Sequence, residues 1–523
     1  MNVRSTKLNP QILVMKHIRG YYEYLLLVLC ATVWIALIAV VPDFLDNPTH
    51  GFRGVAAVAC YVAAVSVVSL LVLYAAGLNK WVVTVFYPLY GMLGAGVSYY
   101  RIAYGVTVTP LIVDCVFHTN PQEAVSVMSW QLVAWIALNA CVSVLFVLWR
   151  WKISTPKYAY LHAAGAILLL VGYYHCNGRL HQSLSQRYPI HIVESLRMYR
   201  VLQQDRGKER TTPMYISDPP KTDSLDIVVV LGESMRSDHL QLNGYPRETN
   251  PLLSQRKNVV AMPNIYSQYT YTAASVPVIM TRADSVHPEL QYSENSFISI
   301  LRQEGYHTAW ISNKEIDRSY AHFSTECDTA FWVNAGKSVF VYSGWYDEEM
   351  LPYLDMQMTD NHPRRFVLMH CIGSHWYYNN HVPEGHDYFQ PVTDNRVVTN
   401  NTREQVVNSY DNTARYVDFF VDSVIRRLED RCAILIYLSD HGESLGEDGN
   451  WLHASGAEET KHPACIVWYS DRYAETYPDK VRALHENSAR RYLTDFMFHS
   501  VLSTAEIYIP DARGMDIFQS VDN

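Results

Sequence analysis

Residues 225–234 have the sequence LDIVVVLGES, an apolar run that ends in a glycine, a glutamate and a serine. Apolar runs without polar alternation are typical of strands that are buried on both faces of a parallel sheet. Four more short runs follow, separated by helix-like segments: His307–Ile311, Phe366–Met369, Ala433–Leu438 and Ala464–Tyr469. The pattern predicts an α/β domain with a mainly parallel central sheet.

Acidic and histidine side chains follow three of these runs at the point where each ends. Glu233 follows the first run, His370 and His375 follow the third, and Asp440 and His441 follow the fourth. Ligands of parallel α/β sheets bind beyond the carboxyl ends of the strands. Because carboxylates and imidazoles are zinc ligands, the sequence predicts a metal centre at this edge. The alternative for Asp440 and His441 alone is a helix-capping turn.

A segment rich in hydroxyl side chains lies between the first two runs, with the sequence YTYTAASVP at residues 269–277. Small residues before a proline are typical of a loop that leads into a helix. Backbone N–H groups at a helix N-terminus favour anions, so a hydroxyl there is a candidate nucleophile for phosphoryl chemistry. Thr270, Thr272 and Ser275 are also ordinary capping residues, and spacing alone does not choose between these roles.

The first third of the chain contains five long apolar runs, each close to the ~20 residues that cross a bilayer. They are Tyr22–Val41, Val55–Gly77, Trp81–Tyr100, Val125–Trp149 and Tyr158–Tyr174. Lysine and arginine are concentrated before the first run and between the fourth and fifth. This asymmetry places the N-terminus in the cytoplasm, and five spans would carry everything after about residue 175 to the outside.

The chain is therefore predicted to have three parts. These are a five-helix transmembrane domain at 1–175, an interfacial helix and linker at 176–223, and an extracytoplasmic catalytic domain at 224–523. In the middle part, His181–Gln204 has a loosely helical pattern that fits a membrane-surface helix or an ordinary packed helix.

Charge and cysteine content argue against a nucleic-acid-binding protein and against a disulfide-stabilised fold. The net charge is -9 and the basic residues are dispersed, which argues against a nucleic-acid partner. The nine cysteines give no disulfide framework. We expect Cys432 and Cys465, which lie in strand-like runs, to be buried thiols.

Four ordered motifs resemble the membrane-bound phosphoethanolamine transferases of the alkaline phosphatase superfamily. They are LGESMRSDH at 231–239, TYTAASVP at 270–277, HCIGSH at 370–375, and SDHGESLGE at 439–447 followed by His453. The resemblance covers the whole chain, because this family also has five spans followed by a periplasmic sulfatase-like domain.

The resemblance implies a role for each matching residue. Thr272 would be the nucleophile that becomes modified with phosphoethanolamine. The implied zinc ligands are Glu233, Thr272, Asp440 and His441. His375 and His453 match positions that contact the phosphoryl group or a second zinc ion. His370 and Lys314 are assigned to substrate binding, and the alternative for Lys314 is a solvated lysine.

The implied enzyme is a zinc-dependent phosphotransferase in the bacterial inner membrane, acting as a monomer among membrane lipids. Phosphatidylethanolamine would donate its head group, through phosphothreonine, to an envelope glycolipid or glycan such as lipid A, core oligosaccharide or periplasmic glucan. Members of the lipid A subgroup have cysteines where this chain has Gln268 and Val278, which leaves the acceptor open.

Three other interpretations compete with this one. A phosphoglycerol transferase of the lipoteichoic-acid synthase type would share the spans, the threonine and the metal site. A sulfatase is disfavoured because no cysteine or serine stands in a Cys/Ser-x-Pro-x-Arg context. An inactive membrane scaffold would be expected to lack a ligand or the nucleophile, and this chain has them all.

Overall fold

The computed structural model describes residues 10–44, 51–104, 107–118, 129–175, 178–206, 209–337, 344–396, 398–453, 456–510 and 514–520. These residues form two compact units. One contains the described residues up to Tyr199 together with Gly336 and Lys337, and the other contains those from Arg200 onward apart from these two. The predicted boundaries at 175 and 224 stay predictions.

The first unit is helical. Its helices are α1 (Pro10–Ile35), α2 (Gly51–Gly77), α3 (Lys80–Tyr104), α4 (Pro110–His118), α5 (Trp130–Lys152), α6 (Ala159–His175), α7 (Gly178–Ser185) and α8 (Ile190–Arg206), whose residues from Arg200 onward belong to the second unit. Helix α1 continues through a π-helical turn and a 3₁₀ turn as far as Phe44. Four segments are long and apolar enough to cross a membrane, with mean hydropathies of 1.3 to 2.8: Ile18–Phe44, Gly51–Gly77, Lys80–Ile102 and Trp130–Lys152.

The observed helices agree in length with the fifth predicted run and differ from the predicted helix at 181–204. The fifth apolar run forms α6, whose 17 residues extend about 26 Å at ~1.5 Å per residue, slightly less than a ~30 Å hydrocarbon core. The count of five spans stays a prediction. The fourth run was expected to begin at Val125, which lies outside the described residues. The predicted single helix His181–Gln204 is two helices, because Pro189 lacks the N–H that would continue α7 into α8.

The second unit is built on one seven-stranded sheet. Its strands are β1 (Leu225–Gly232), β2 (Val259–Ala261), β3 (His307–Ser312), β4 (Thr329–Trp332), β5 (Arg364–His370), β6 (Ala433–Ser439) and β7 (Cys465–Tyr469). The order across the sheet is β2-β7-β6-β1-β5-β3-β4. The five consecutive strands from β6 to β4 are parallel to one another. All five predicted runs are strands, and the last of them, β7, is antiparallel to β6 and β2.

Helices cover both faces of this sheet. They are α9 (Thr272–Met280), α10 (Leu290–Ser293), α11 (Phe297–Gln303), α12 (Arg318–Ala321), α13 (Leu351–Thr359), α14 (Arg403–Ile425), α15 (Asp471–Thr476), α16 (Pro478–Asn487) and α17 (Phe496–Thr504). Side chains of β1 alternate between two cores: Ile227 and Val229 pack with residues of α9, α11 and α17, whereas Val228 and Val230 pack with residues of α13 and α14. This burial on both faces explains the uninterrupted apolar run.

The predicted thiols Cys432 and Cys465 are confirmed as buried free cysteines. Residues 216–217, expected in the linker, pair as a short antiparallel strand with Ile507–Tyr508. The end of the linker is thus attached to the catalytic unit.

Candidate active site

The candidate site residues meet because neighbouring parallel strands end at one edge of the sheet. In the pairing register, Gly232 of β1 lies opposite Ser439 of β6, and Leu231 lies opposite His370 of β5. Ser312 of β3 lies opposite His370 as well. The residues that follow these strand ends are therefore brought together.

Glu233 lies at the centre of the site with a fully buried side chain. Its Oε2 accepts hydrogen bonds from Thr272 Oγ1 at 2.8 Å and Lys314 Nζ at 2.7 Å. Ser234 has a φ of 57°, in the left-handed region, and its backbone N–H donates to Asp440 Oδ1 at 3.2 Å. Such a backbone conformation costs about 1–3 kcal/mol, so the contacts around the turn must hold it in place.

Thr272 is the first residue of α9, where backbone N–H groups have no partner within the helix and favour an anion. Its hydroxyl donates to Glu233. Ser275 instead donates to the carbonyl of Tyr269 at 3.3 Å, a bond to the loop before the helix. Thr272 is thus the hydroxyl that lies against the buried carboxylate, and its role as nucleophile stays a prediction.

The ring of His441 presents a lone pair to two carboxylates. Its Nδ1 is 2.7 Å from the carbonyl oxygen of Gly442, which can only accept, so Nδ1 carries the hydrogen. Burial lowers the pKa of His441 to about 4, which keeps the ring neutral. Nε2 lies 3.5 Å from both Glu233 Oε1 and Asp440 Oδ2. A lone pair facing two carboxylate oxygens is stabilised only if a cation lies between them.

The two carboxylates cannot share this site as anions without added positive charge. Burial raises the pKa of Asp440 well above its usual range, and the charge of Glu233 raises it further. Burial also opposes the ionisation of Glu233, but the ammonium group of Lys314 keeps its pKa well below the usual value. A divalent cation would stabilise both carboxylates in the ionised form.

These residues fit a zinc ion. Within the part of the chain that the structure describes, neither Asp440 Oδ2 nor His441 Nε2 has a hydrogen-bond partner, although both are buried. The 3.5 Å separations around His441 Nε2 are close to the ~3.3 Å edges of a tetrahedral zinc site with ~2 Å bonds. Glu233, Asp440 and His441 would hold the ion, and Thr272 Oγ1 is the candidate fourth ligand.

Two further predicted histidines lie next to this centre. The ring of His453 is 4.9 Å from that of His441 and 5.7 Å from that of His375, measured between centroids. His375 Nδ1 donates to the carbonyl of Trp376 at 2.6 Å, which leaves Nε2 as an acceptor. Burial would lower the pKa of His453, but the carboxylate of Glu443, 3.4 Å from Nδ1, raises it to about 9.

Lys314 and His370 are both buried. The alternative of a solvated lysine is therefore wrong. Burial opposes the charge of Lys314, yet Glu233 holds its pKa above the usual value. His370 packs edge-on against Tyr320 at 4.8 Å and Trp310 at 5.7 Å, and burial lowers its pKa to about 3. Substrate contact by His370 stays a prediction.

A second group of ligand-type residues, His307, Asp360 and His362, lies at the opposite edge of the sheet, where β3 and β5 begin. The two imidazole rings are stacked 4.3 Å apart with an angle of 4° between their planes. Ring nitrogen lone pairs lie in the ring planes, so parallel stacked rings cannot point at one ion. We assign no metal centre to this group.

Two buried carboxylates of the site were not singled out from the sequence. Glu443 follows His441 by two residues inside a quoted motif, and that spacing is the signal that could have identified it. Asp347 lies in no motif. It accepts the backbone N–H groups of Ile372 and Gly373, and only the fold brings it there.

The fold and the site together fit an α/β enzyme of phosphoryl or sulfuryl transfer, with a threonine hydroxyl beside carboxylate and imidazole side chains that are suited to hold a metal ion. Comparison with known families agrees. A family model described as Sulfatase matches residues 226–507, more than half of the chain. A second, described as Phosphoethanolamine transferase EptA/EptB, matches residues 60–178. The chain therefore belongs to the sulfatase family.

Individual relatives give a narrower placement. Phosphoethanolamine transferase EptA of Escherichia coli K12 is 28% identical over 451 residues, which cover 79% of this chain and 81% of the relative. The integral membrane lipooligosaccharide phosphoethanolamine transferase A of Neisseria meningitidis superposes with a TM-score of 0.53 and 24% identity, covering 94% of this chain and 97% of that one. The C-terminal periplasmic domain of EptC from Escherichia coli, solved with zinc, has a TM-score of 0.54 and 22% identity, covering 60% and 91%.

Within its family the chain is a membrane-bound phosphoethanolamine transferase of the alkaline phosphatase superfamily. Its N-terminal part has four segments long and apolar enough to cross a membrane, and the matched Neisseria meningitidis transferase is an integral membrane protein. The resemblance drawn from the four motifs is confirmed at this level, as is the fold class of an apolar helical part followed by an α/β domain.

Proposed function

We propose that the chain transfers phosphoethanolamine from phosphatidylethanolamine, through a phosphothreonine at Thr272, to an envelope glycolipid or glycan. One observation carries the proposal: the Thr272 hydroxyl, at the N-terminus of a helix, donates to Glu233 beside the unpartnered buried atoms of Asp440 and His441. A hydroxyl between an anion-favouring helix end and a cation site is placed for attack on a phosphodiester.

In the first half-reaction, Thr272 Oγ1 loses its proton and attacks the phosphorus of the donor. The bond between phosphorus and the diacylglycerol oxygen breaks, and that oxygen takes up a proton. Glu233 Oε2 is the acceptor that already receives the Thr272 hydrogen bond. His453 is protonated near neutral pH because of Glu443, so it is the acid that gives a proton to the leaving diacylglycerol oxygen.

In the second half-reaction, an acceptor hydroxyl or phosphate attacks the phosphothreonine. The bond between phosphorus and Thr272 Oγ1 breaks, and the threonine regains its proton. His375 Nε2 is free of the hydrogen that Nδ1 carries, so it is a base suited to remove the acceptor proton. Attack in line at each step inverts the phosphorus twice.

Zinc would be held by Glu233, Asp440, His441 and Thr272. When bound, it supplies the positive charge that stabilises the deprotonated Thr272 oxygen and the phosphoryl oxygens. A zinc complex of the EptC periplasmic domain supports the choice of metal. Lys314 adds a second positive charge on the Glu233 side of the site.

The membrane arrangement and the acceptor belong to the proposal. We place the N-terminus in the cytoplasm, count α6 as the fifth span, and treat the chain as a monomer. Lipid A, core oligosaccharide and periplasmic glucan are the acceptors that we propose. Mass spectrometry of envelope glycolipids and glycans, in cells with and without the gene, would identify the molecule that gains one phosphoethanolamine.

The function is tested with the full-length protein in detergent and a fluorescent phosphatidylethanolamine. The wild type is expected to release labelled diacylglycerol, Thr272→Ser to release it more slowly, and Thr272→Ala to release none. Labelled phosphatidylglycerol is the control donor. Turnover of phosphatidylglycerol in place of phosphatidylethanolamine would support the phosphoglycerol transferase instead, and release at the wild-type rate by Thr272→Ala would refute the proposed nucleophile.

A further inference from the structure

A buried carboxylate outside the metal centre links two walls of the site. Asp347 is 2% exposed and lies in the turn before α13. Its Oδ1 accepts hydrogen bonds from Asn313 Nδ2 and the backbone N–H of Ile372, each at 2.9 Å. Its Oδ2 accepts the backbone N–H of Gly373 at 2.9 Å. One carboxylate therefore connects the segments that follow β3 and β5.

Each of these segments carries a residue of the proposed mechanism. Asn313 directly precedes Lys314, whose ammonium donates to Glu233. Ile372 accepts the backbone N–H of His375 at 3.2 Å, closing the turn that presents this histidine. A shift of Asp347 would thus move Lys314 and His375 together.

The segment after β5 also lies directly on Glu233. The backbone N–H of Ser374 donates to the Glu233 carbonyl at 3.0 Å. A Cβ at Gly373 would come within 2.9 Å of the Glu233 backbone nitrogen and oxygen. The turn is therefore held between Glu233 on one side and Asp347 on the other.

The Asn313 amide is oriented by further bonds, which fix the position of Asp347. Asn313 Oδ1 accepts the indole N–H of Trp345 at 2.8 Å and also an N–H of Asn334. Trp345 is 1% exposed, and its carbonyl is 3.1 Å from His381 Nδ1. With its oxygen occupied by donors, the amide can present only its NH₂ group to Asp347.

We infer that Asp347 is a positioning residue of the phosphotransfer: it holds Lys314 and His375 in place around Glu233 through Asn313 and the 372–373 backbone. The inference rests on the proposed function, which supplies the roles of Lys314 and His375. A buried aspartate that accepts loop amides for stability alone would have no such link to the reaction.

Asp347→Asn tests this role. The substitution keeps the size of the side chain but replaces one acceptor oxygen by an NH₂ group, which then faces an N–H donor. We expect the rate of labelled diacylglycerol release to fall at least 10-fold with unchanged zinc content. Asp418→Asn is the matched control, because Asp418 is fully buried and accepts the backbone N–H groups of Leu252 and Leu253 at 2.9 and 3.0 Å.

Both variants are expected to lower the thermal midpoint, and only Asp347→Asn should lower the rate. A double-mutant cycle separates positioning from general damage. In a background that carries both Lys314→Met and His375→Gln, Asp347→Asn should reduce the single-turnover rate by less than 3-fold, since both residues through which it acts are already gone. A further 10-fold loss in that background, or equal rate losses in Asp347→Asn and Asp418→Asn, would overturn the inference.

Hydrogen exchange gives a readout that does not depend on activity. In the intact chain, Asp347→Asn should speed exchange of the amides at 372–375 at least 10-fold and leave those at 252–253 unchanged. Unchanged exchange at 372–375 would also overturn the inference. If Asp347→Asn does not fold, Asn313→Ala should still slow the reaction, because it removes the Asn313 bonds to Asp347, Trp345 and Asn334 and leaves the bonds of Asp347 to the 372–373 amides in place. The wild type could show no turnover while Asp347→Asn still speeds exchange at 372–375. That result would contradict the proposed function but not the structural role of Asp347.

Discussion

The ammonium group of Lys314 lies 2.7 Å from Glu233 Oε2, the same carboxylate oxygen that accepts the hydrogen bond of Thr272. Both charged side chains are almost completely buried. Charge on Glu233 is therefore stabilised from one side by a fixed lysine and from the other by the site that fits a metal ion. This arrangement makes the stability of the protein and its metal content interdependent.

Replacing Lys314 by methionine should destabilise the zinc-free protein more than the zinc-loaded one. In the zinc-free protein the change leaves a buried carboxylate without its nearest countercharge, a loss of roughly 3–5 kcal/mol. Bound zinc would offset part of that loss. Thermal midpoints with zinc and with chelator measure the difference. Lys461→Met is the control, because its ion pair with Glu458 is exposed and its loss should change the thermal midpoint little, with or without zinc. Equal losses with and without zinc would contradict the interdependence.

Zinc content should follow the three residues of the strand-end centre. We expect about one zinc per wild-type chain by elemental analysis, and clearly less in Glu233→Gln and Asp440→Asn, because each loses an anionic ligand. His307→Gln is the matched control from the stacked group at the opposite sheet edge, and it should retain zinc as the wild type does. Loss of zinc in His307→Gln, with retention in the other two variants, would place the metal at the opposite edge of the sheet and contradict the proposed zinc ligands.

Gly373→Ala should damage the site beyond its backbone strain. The residue has a φ of +51°, and an added Cβ would approach the backbone of Glu233 to 2.9 Å. Gly385→Ala isolates the strain, since Gly385 has a φ of +89° and no atom within 4 Å of its added Cβ. We expect about 1–2 kcal/mol of destabilisation in Gly385→Ala with normal turnover. Gly373→Ala should lose more stability and most of its turnover, and normal turnover there would refute the close approach.

Asp516 should make the catalytic unit less stable as the pH rises from about 4 to 6. Burial raises its pKa from 3.8 to about 6, so the folded protein binds a proton that the unfolded chain has released. That stabilisation is complete below pH 4 and is lost as the pH passes 6, with a total of at most ~3 kcal/mol. Asp516→Asn should flatten this part of the stability profile relative to the wild type, measured by thermal unfolding. Parallel profiles for the two proteins would show that the carboxyl does not titrate in this range.

Much of the fold could be predicted from the sequence because its strands are buried on both faces. The run at 225–231 has no polar interruption beyond Asp226, and Ile227 and Val228 each point into a core. The same reasoning gave β7 as a strand but not its direction, because an antiparallel strand inside a covered sheet has the same apolar pattern. The edge strands β2 and β4, with three and four residues, are too short to stand out.

The metal-site residues were readable for a related reason. Glu233 and Asp440 directly follow buried strands, and parallel strands bring their carboxyl ends together. The position of Asp347 in the site could not be predicted, because a connection between distant segments brings it there and not a strand end. The burial of Lys314 was likewise hidden, since a lysine after a strand is more often solvated.

The central claim is that the phosphoryl group passes through Thr272. After brief incubation of full-length protein with phosphatidylethanolamine, acid quenching and proteolysis, mass spectrometry should find one phosphoethanolamine on the peptide that contains Thr272. The adduct should persist in Thr270→Ala, be absent in Thr272→Ala, and disappear from the wild type when acceptor is added. An adduct on Thr270 or another residue, or phosphoethanolamine transfer by Thr272→Ala at the wild-type rate, would contradict the account.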